Sequence, residues 1–144
     1  MSRITEFKNE HRFLSNFWFV DVVLEGKVYS TTEHAYQAAK TTSASEREKI
    51  RWMDKPGEVK KISRHIKLRE DWEEIKLLIM EDLNSQKFSK EPLKSKLLAT
   101  GNKELIEGNW WHDNFWGSCF CDKCRFQGRN ELGKILMKIR GKIK

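Results

Sequence analysis

Residues 26–40, which read GKVYSTTEHAYQAAK, constrain the fold more strongly than any other part of the chain. The stretch begins with strand-like residues 27–29 and continues into a pattern that is typical of a helix. Ser30 is followed three residues later by Glu33, which is the capping-box pattern for the start of a helix. We therefore predict the end of a hairpin that runs into a short helix reaching about residue 40.

One face of this predicted helix is polar and chemically varied. Tyr36 and Gln37 follow Glu33 by three and four residues, so the three side chains share one helical stripe. Lys40 lies seven residues after Glu33 and extends the stripe. The opposite face carries alanines, which are small enough for close packing against a neighbour. The stripe suits the wall of a binding site; alternatively, Glu33 only caps the helix and Lys40 is only solvated.

A second feature is the predicted hairpin that precedes this helix. Residues 17–24 have the composition of a strand, and Glu25-Gly26 supplies a turn before the next strand. A chain of 144 residues is long enough for one domain with its own core. We therefore predict one domain over residues 1–144, of the α+β class, mainly helical with a small antiparallel hairpin.

Further helices follow from capping residues and from the spacing of apolar residues. Ser45 and Glu48 form a second capping box, which opens a helix to about residue 53, and Pro92 starts another helix. The inward-facing residues are predicted to be Trp72, Ile75, Ile79 and Leu83 in a helix over residues 72–84, and Leu132, Ile135, Leu136 and Ile139 in a helix over residues 130–140.

Basic residues outnumber acidic ones, with a net charge of +7 and a pI of about 9.4. Residues 55–69 hold six Lys or Arg against one acid, and residues 125–144 hold seven against one. Such blocks favour a polyanionic or phosphorylated partner, although solubility explains them equally well. No apolar run approaches the ~20 residues of a membrane span, and the charged N-terminal segment lacks the apolar core of a secretory signal. We therefore expect a cytoplasmic protein with no membrane partner.

An aromatic stretch and a cysteine cluster stand next to each other near the C-terminus. Residues 109–117, NWWHDNFWG, have no clean period and predict a structured loop. Cys119, Cys121 and Cys124 form C-x-C-x-x-C, which in a cytosolic chain indicates metal binding or reduced thiols rather than a disulfide. A structural zinc site needs four ligands, so His112 would have to be the fourth. Reduced thiols are the alternative, and we predict no bound metal and no cofactor.

Short fragments follow one another in a characteristic order along almost the whole chain. They are FLSNF at 13–17, Tyr29, TEHAYQ at 32–37, Lys40, Arg69, Asp71-Trp72, Lys76, Lys87-Phe88, Leu97-Leu98, Thr100-Gly101, Asp113, Trp116-Gly117, Gly128, Asn130, Leu132-Gly133, Leu136-Met137 and Ile139-Arg140. No fragment is specific alone, but their joint occurrence resembles the NADAR family, also called YbiA-like N-glycosidases. The cysteine-bearing segment before Gly128 departs from the family pattern, and we interpret it as a feature of a subgroup.

The resemblance implies a mainly helical fold with a small β portion and hydrolysis of an N-glycosidic bond at ribose C1′. The implied substrates are ADP-ribosylated guanine in nucleic acid and phosphoribosyl intermediates of riboflavin synthesis. By motif matching, Glu33, Trp72 and Asp113 resemble the catalytic set. Two carboxylates suit this chemistry because positive charge develops on the sugar while the leaving base needs a proton. Lys40 is a candidate electrostatic partner of Glu33, or a nucleophile that forms a Schiff base.

The substrate-binding prediction rests on the same fragments and, for Arg129, on its place beside Gly128 at the start of the last helix. Arg69, Arg129 and Asn130 are candidates for phosphate or ribose contacts; alternatively, the two arginines only carry surface charge. Asn16 either braces a loop or faces a ligand, because a buried Asn needs partners. Two other interpretations remain open: a non-catalytic reader of ADP-ribose or nucleic acid, and a small zinc-dependent protein that binds nucleic acid. A reader of an anionic ligand would gain nothing from two acids in its pocket, which favours the enzyme. The predicted substrate-binding residues are Asn16, Phe17, Tyr36, Gln37, Arg69, Trp116, Gly117, Arg129 and Asn130.

Overall fold

The computed structural model describes residues 2–143, so that Lys144 of the second basic block lies outside the described residues. The mainly helical α+β class is confirmed. The strands are β1 (Arg3–Ile4), β2 (Phe19–Leu24), β3 (Lys27–Thr31), β4 (Glu104–Leu105), β5 (Gly108–Asn109) and β6 (Ser118–Cys119). The helices are α1 (Thr32–Ala39), α2 (Ala44–Arg51), α3 (Pro56–Ile62), α4 (Trp72–Lys87), α5 (Leu93–Leu98) and α6 (Glu131–Lys142).

The chain forms two compact units. One unit spans Asn16–Lys87, and the other combines the chain before Asn16 with the chain after Lys87. The prediction of one domain over residues 1–144 stays a prediction. Across the part of the chain that the structure describes, no helix is both long and apolar enough to span a bilayer.

The predicted hairpin is present as the antiparallel pair of β2 and β3. Its turn consists of Glu25 and Gly26, which both have positive φ angles of 48° and 82°. Two consecutive left-handed residues give the turn the twist that matches the flanking strands. Val22 and Tyr29 are paired across the hairpin, and both are buried. The hairpin therefore presents one apolar face to the core of its unit.

The start of α1 differs from the sequence prediction by one residue. The N-cap is Thr31 rather than Ser30, and the Thr31 hydroxyl accepts a hydrogen bond from the His34 N–H at 3.0 Å. Ser30 still belongs to β3, so Glu33 falls one position too early to complete a capping box. The predicted box is therefore wrong, and the Glu33 side chain makes a different contact.

The second predicted capping box is wrong for a similar reason. Helix α2 begins at Ala44, and Ser43 is its N-cap, with the Ser43 hydroxyl accepting from the Glu46 N–H at 3.3 Å. Ser43 and Glu46 have the same sequence spacing as the predicted Ser45 and Glu48. The pattern itself thus occurs twice within six residues, and folding uses the first copy.

Helix α1 is the centre of the Asn16–Lys87 unit. All of its residues are buried, and it contacts α2, α3, α4, β2 and β3. Ala35, Ala38 and Ala39 are fully buried, which allows the close approach expected of an alanine face. Helix α4 is longer than the predicted 72–84 and buries Met80 where the spacing predicted Ile79. Ile75 and Ile79 are only half-buried, because α4 packs on α1 along a face rotated from the predicted one.

The other unit is organised by α6. Leu132, Ile135, Leu136 and Ile139 are buried as predicted, and α6 packs on β4. Strand β4 pairs in parallel with β1, and β5 pairs in parallel with β6. These short pairs hold the loop between β5 and β6 that carries the aromatic stretch.

Candidate active site

Glu33 lies in the first turn of α1 with only 6% of its surface exposed. Its Oε2 atom accepts a hydrogen bond from Gln37 Nε2 at 2.6 Å. Gln37 follows Glu33 by four residues, which is about one helical turn. The Glu33 main-chain N–H donates to the Asn16 carbonyl at 3.0 Å. A buried carboxylate is costly unless it is hydrogen-bonded. The bond from Gln37 therefore orients the Glu33 carboxylate, while the main-chain bond fixes the backbone of the first turn.

Lys40 follows the end of α1 and is half-buried. Burial lowers the pKa of Lys40 from its ordinary value, and the charge of Glu33 acts in the opposite direction. The charges of Lys60 and Lys76 add to the lowering of this pKa. The Lys40 ammonium also lies 5.4 Å from the centroid of the Tyr36 ring. Lys40 thus interacts electrostatically with Glu33 and with the Tyr36 ring, two other members of the predicted polar stripe.

Two buried aromatic rings meet at the stripe, that of Tyr36, which belongs to it, and that of Trp72. The Tyr36 and Trp72 ring centroids are 5.2 Å apart with the planes inclined by 54°. Both residues are almost fully buried, at 5% and 4% exposure. Phe17 is half-buried next to Gly57, since a Cβ atom at that glycine would lie 3.9 Å from the Phe17 ring. Aromatic faces of this kind exclude water and can stack on a base.

Three buried oxygen atoms beside Glu33 have no hydrogen-bond partner within residues 2–143. They are Asn16 Oδ1, Thr32 Oγ1 and Gln37 Oε1. Asn16 and Gln37 both contact Glu33 through their other polar atoms, and Asn16 Nδ2 donates only a long bond to Met80 Sδ at 3.5 Å. Because unpaired buried polar atoms cost about 1–3 kcal/mol each, these oxygens are candidate acceptors for ligand hydroxyl or amino groups.

Arg69 is held by its own neighbours. Its Nε and Nη2 atoms donate to the two carboxylate oxygens of Asp71 at 2.6 and 3.3 Å, and this pairing lowers the pKa of Asp71. The Arg69 N–H donates to the Lys40 carbonyl at 2.8 Å, which ties this loop to the end of α1. The predicted substrate contact of Arg69 stays a prediction. A groove of about 840 Å³ beside it is lined by residues 41–43, Glu46 and residues 65–71.

Asp113 lies in the other unit, in the loop after β5. Its Oδ1 accepts hydrogen bonds from the N–H groups of Phe115 at 3.1 Å and Trp116 at 3.0 Å. Asn109 braces the same turn, because its side chain accepts from the Asp113 N–H and donates to the Asp113 carbonyl. The carboxylate therefore shapes its loop, and its predicted catalytic role stays a prediction.

Trp116 and Gly117 are likewise parts of a tightly packed loop. The Trp116 ring lies edge-on to Phe115 with centroids 4.8 Å apart. Gly117 has no room for a side chain, because a Cβ atom there would overlap the Glu107 carbonyl oxygen. The Arg129 guanidinium covers Phe115 from 4.6 Å. These residues build a rigid aromatic surface, while substrate contacts by Trp116 and Gly117 stay predictions.

The two residues before α6 differ in how much they protrude. The Arg129 side chain is 60% exposed and pairs with Glu131 at 2.9 Å. Asn130 is buried with a φ angle of 52°, and its Oδ1 accepts from the Glu107 N–H at 3.0 Å while its Nδ2 donates to the Leu105 carbonyl at 2.9 Å. Asn130 therefore has a bracing role, and Arg129 is the better placed of the two for a phosphate.

Four potential metal ligands meet in the same unit. His112 Nδ1 and the sulfur atoms of Cys119, Cys121 and Cys124 all lie within 4.8 Å of one another. The cysteines are free thiols rather than a disulfide. This is the ligand set that the sequence left as the alternative to surface thiols.

Sequence reasoning did not assign a role to His34, which is fully buried at the start of α1. Its Nδ1 lies 2.6 Å from the Thr31 hydroxyl and its Nε2 lies 2.8 Å from the Met53 carbonyl. The carbonyl can only accept, so Nε2 carries the proton and Nδ1 accepts from Thr31. Burial lowers the pKa of His34, which keeps the ring neutral. His34 therefore fixes the first turn of α1, including Glu33.

Known proteins are similar to this chain in fold and sequence. The family model of the NADAR domain matches residues 4–144. The chain is 33% identical over 132 residues to the N-glycosidase YbiA of Escherichia coli, covering 90% of this chain and 79% of YbiA. It is 35% identical over 136 residues to a riboflavin biosynthesis protein of Vibrio vulnificus, covering 92% of this chain and 36% of that protein.

The structural comparison agrees with the sequence comparison. The NMR structure of E. coli YbiA superimposes with a TM-score of 0.82 at 30% identity, covering 99% of this chain and 86% of that one. The resemblance drawn from the sequence fragments is thus confirmed. The chain belongs to the NADAR domain family.

Proposed function

We propose that this protein is an N-glycosidase that hydrolyses the C1′–N bond between a ribose and a nitrogen base. The enzyme class is supported by the names of its relatives, since YbiA is an N-glycosidase that aligns with 90% of this chain. The substrate that we propose is an ADP-ribosyl group on guanine in nucleic acid. A cytoplasmic location and the lack of a membrane partner stay predictions.

The observation that carries the proposal is the buried carboxylate of Glu33, held by Gln37 next to unpaired amide oxygens. As the C1′–N bond breaks, its electron pair leaves with the base and positive charge develops on the ribose. A fixed carboxylate stabilises this charge, or removes a proton from the water that attacks C1′. Ribose hydroxyls would donate to the unpaired oxygens of Asn16 and Gln37. Such contacts would explain why these two oxygens lack a hydrogen-bond partner within the protein.

The neighbouring side chains support the same chemistry. The charge of Glu33 raises the pKa of Lys40, so the two side chains attract each other beside the proposed ribose site, and a negative carboxylate there would stabilise an oxocarbenium ion. The Tyr36 and Trp72 rings supply an apolar wall against which a base or ribose can pack while water is excluded. Asp113 is our candidate for the second carboxyl group, which protonates the leaving base or activates the attacking water.

Two substrates remain to be distinguished, and each has its own support. The basic blocks and the net charge of +7 favour a substrate attached to nucleic acid. The Vibrio relative is named a riboflavin biosynthesis protein, which favours a small phosphoribosyl intermediate as the second candidate. Contacts with nucleic-acid phosphates make activity fall steeply with rising salt, whereas similar rates at low and high salt would indicate the small metabolite.

The deciding experiment measures free ADP-ribose released from a DNA oligonucleotide that carries ADP-ribosylated guanine. We expect release by the wild type and a loss of at least about 10²-fold in Glu33→Gln. Asp113→Asn tests the second carboxylate, and Glu74→Gln, which removes an exposed acid from α4, is the matched control. Far-ultraviolet circular dichroism shows that each variant is folded.

Two outcomes would overturn parts of this proposal. If Glu33→Gln retains wild-type release, the carboxylate has no catalytic role. If neither the oligonucleotide nor a phosphoribosyl substrate is cleaved while the oligonucleotide still binds, the protein is a reader rather than an enzyme. Borohydride treatment during turnover tests the Schiff-base role of Lys40, because an adduct trapped on this lysine supports that role and its absence with active enzyme excludes it.

A further inference from the structure

The cysteine cluster in the loops around β6 has a geometry that hydrogen bonding does not explain. His112 Nδ1 lies 3.6 Å from Cys119 Sγ and 3.5 Å from the sulfur atoms of both Cys121 and Cys124. A ring nitrogen has either one proton or one lone pair, so it can bond at most one of the three sulfurs. Three equal approaches to one nitrogen therefore indicate a common partner at their centre.

The sulfur–nitrogen distances match those around a tetrahedral zinc ion. Zinc binds thiolate sulfur at about 2.3 Å and histidine nitrogen at about 2.0–2.1 Å, which separates sulfur from nitrogen by about 3.6 Å in a tetrahedron. The observed separations of 3.5 and 3.6 Å agree. We propose that His112, Cys119, Cys121 and Cys124 bind one zinc ion. This inference is independent of the proposed glycosidase function.

The surrounding polar groups suit a bound metal thiolate. Asn114 Nδ2 lies 3.1 Å from Cys124 Sγ, and the Cys121 N–H lies 3.5 Å from Cys119 Sγ. Asn114 Oδ1 accepts from the Cys119 N–H at 2.9 Å, so one amide holds two of the ligands. Three thiolates around Zn²⁺ leave an excess of one negative charge, and N–H donors to sulfur disperse it.

The role of the ion is structural rather than catalytic. All four tetrahedral positions are filled by protein ligands, so no position is open for a water or a substrate. The backbone around the ligands includes three non-glycine residues with positive φ angles: His112 at 68°, Arg125 at 53° and Phe126 at 54°. Such conformations are unfavourable in isolation and persist when the surroundings enforce them. Zinc would supply that restraint and would anchor the loop that carries Asp113.

The first measurement is the metal content and ligand shell of wild-type protein purified without chelator. We expect about one zinc ion per chain, and X-ray absorption should show three sulfur neighbours at about 2.3 Å and one nitrogen at about 2.0–2.1 Å. Cobalt substitution should give the thiolate charge-transfer and visible bands of a tetrahedral S₃N ion. Thiol reagents should react with all three cysteines only after a chelator is added.

Variants then identify the ligands. Cys121→Ser and His112→Ala should lose the tetrahedral cobalt spectrum, whereas His65→Ala, which removes an exposed histidine of the other unit, should retain it. Asn114→Ala should keep the ligand shell but weaken zinc binding by about 10–100-fold. The proposal is overturned if purified wild type contains much less than one metal ion per chain and the reduced protein shows no charge-transfer band after cobalt is added. The wild-type measurement decides this even if a variant does not fold.

Discussion

Replacing Asn130 separates a bracing role from a substrate-binding role for this residue. Its amide joins the Glu107 N–H and the Leu105 carbonyl, and its backbone is left-handed with φ of 52°. Asn130→Ala leaves the buried Leu105 carbonyl and the partly buried Glu107 N–H without these hydrogen bonds, at about 1–3 kcal/mol each. It also places alanine in a conformation that costs about 1 kcal/mol more than for asparagine. We therefore expect a loss of about 3–7 kcal/mol in the free energy of unfolding.

The assay is urea unfolding followed by tryptophan fluorescence, because the chain contains six tryptophans. Asn130→Gly should be less damaging than Asn130→Ala by about 1 kcal/mol, since glycine tolerates the left-handed backbone. Arg129→Ala is the matched control and should cost less than about 1 kcal/mol, because its side chain is 60% exposed. If Asn130→Ala unfolds at the wild-type urea concentration yet loses activity, the bracing argument is refuted and Asn130 binds substrate.

Three further predictions follow from the same structure. Because burial lowers the pKa of His34, this histidine binds a proton more readily in the unfolded chain than in the folded one. The free energy of unfolding should therefore fall as pH decreases below about 6.5, by at most about 1.4 kcal/mol per pH unit from this group. In urea unfolding, the stability of His34→Gln should depend less on pH than that of the wild type. If Lys40 acts as a cation beside Glu33, activity should decline as pH rises through its lowered pKa, and Lys40→Arg should move that decline to higher pH; an unchanged profile contradicts this role. Gly117→Ala should destabilise the protein by about 1–3 kcal/mol because a main-chain carbonyl occupies the Cβ position, whereas Gly141→Ala, with open space in α6, should raise the melting temperature.

The sequence predicts those features that depend on local spacing. The inward face of α6 and the Glu25-Gly26 turn follow from periodicity and turn chemistry, and both are present. The helix starts were displaced because several hydroxyl residues adjoin each start and any of them can cap. Thr31 and Ser43 are the N-caps instead of Ser30 and Ser45. Which hydroxyl residue caps each helix depends on strand pairing and packing.

The candidate site shows the same limit. The contact of Glu33 with Gln37 follows from helical spacing alone and was predictable. The bracing of Asp113 by Asn109 and the two long-range bonds of Asn130 depend on loop geometry, which no sequence period encodes. The approach of His112 to the cysteines is of the same kind. The sequence could name it as a fourth ligand, but only the folded loop shows the equal distances.

The complete burial of α1 limits how members of this family can diverge in substrate preference. Each residue of Thr32–Ala39 is a core residue, so any replacement there alters packing and chemistry together. Replacements on this helix should therefore lower the stability of the fold together with any change in activity. Changes in specificity should instead accumulate in the exposed segments, such as residues 65–71, while α1 is inherited as a unit.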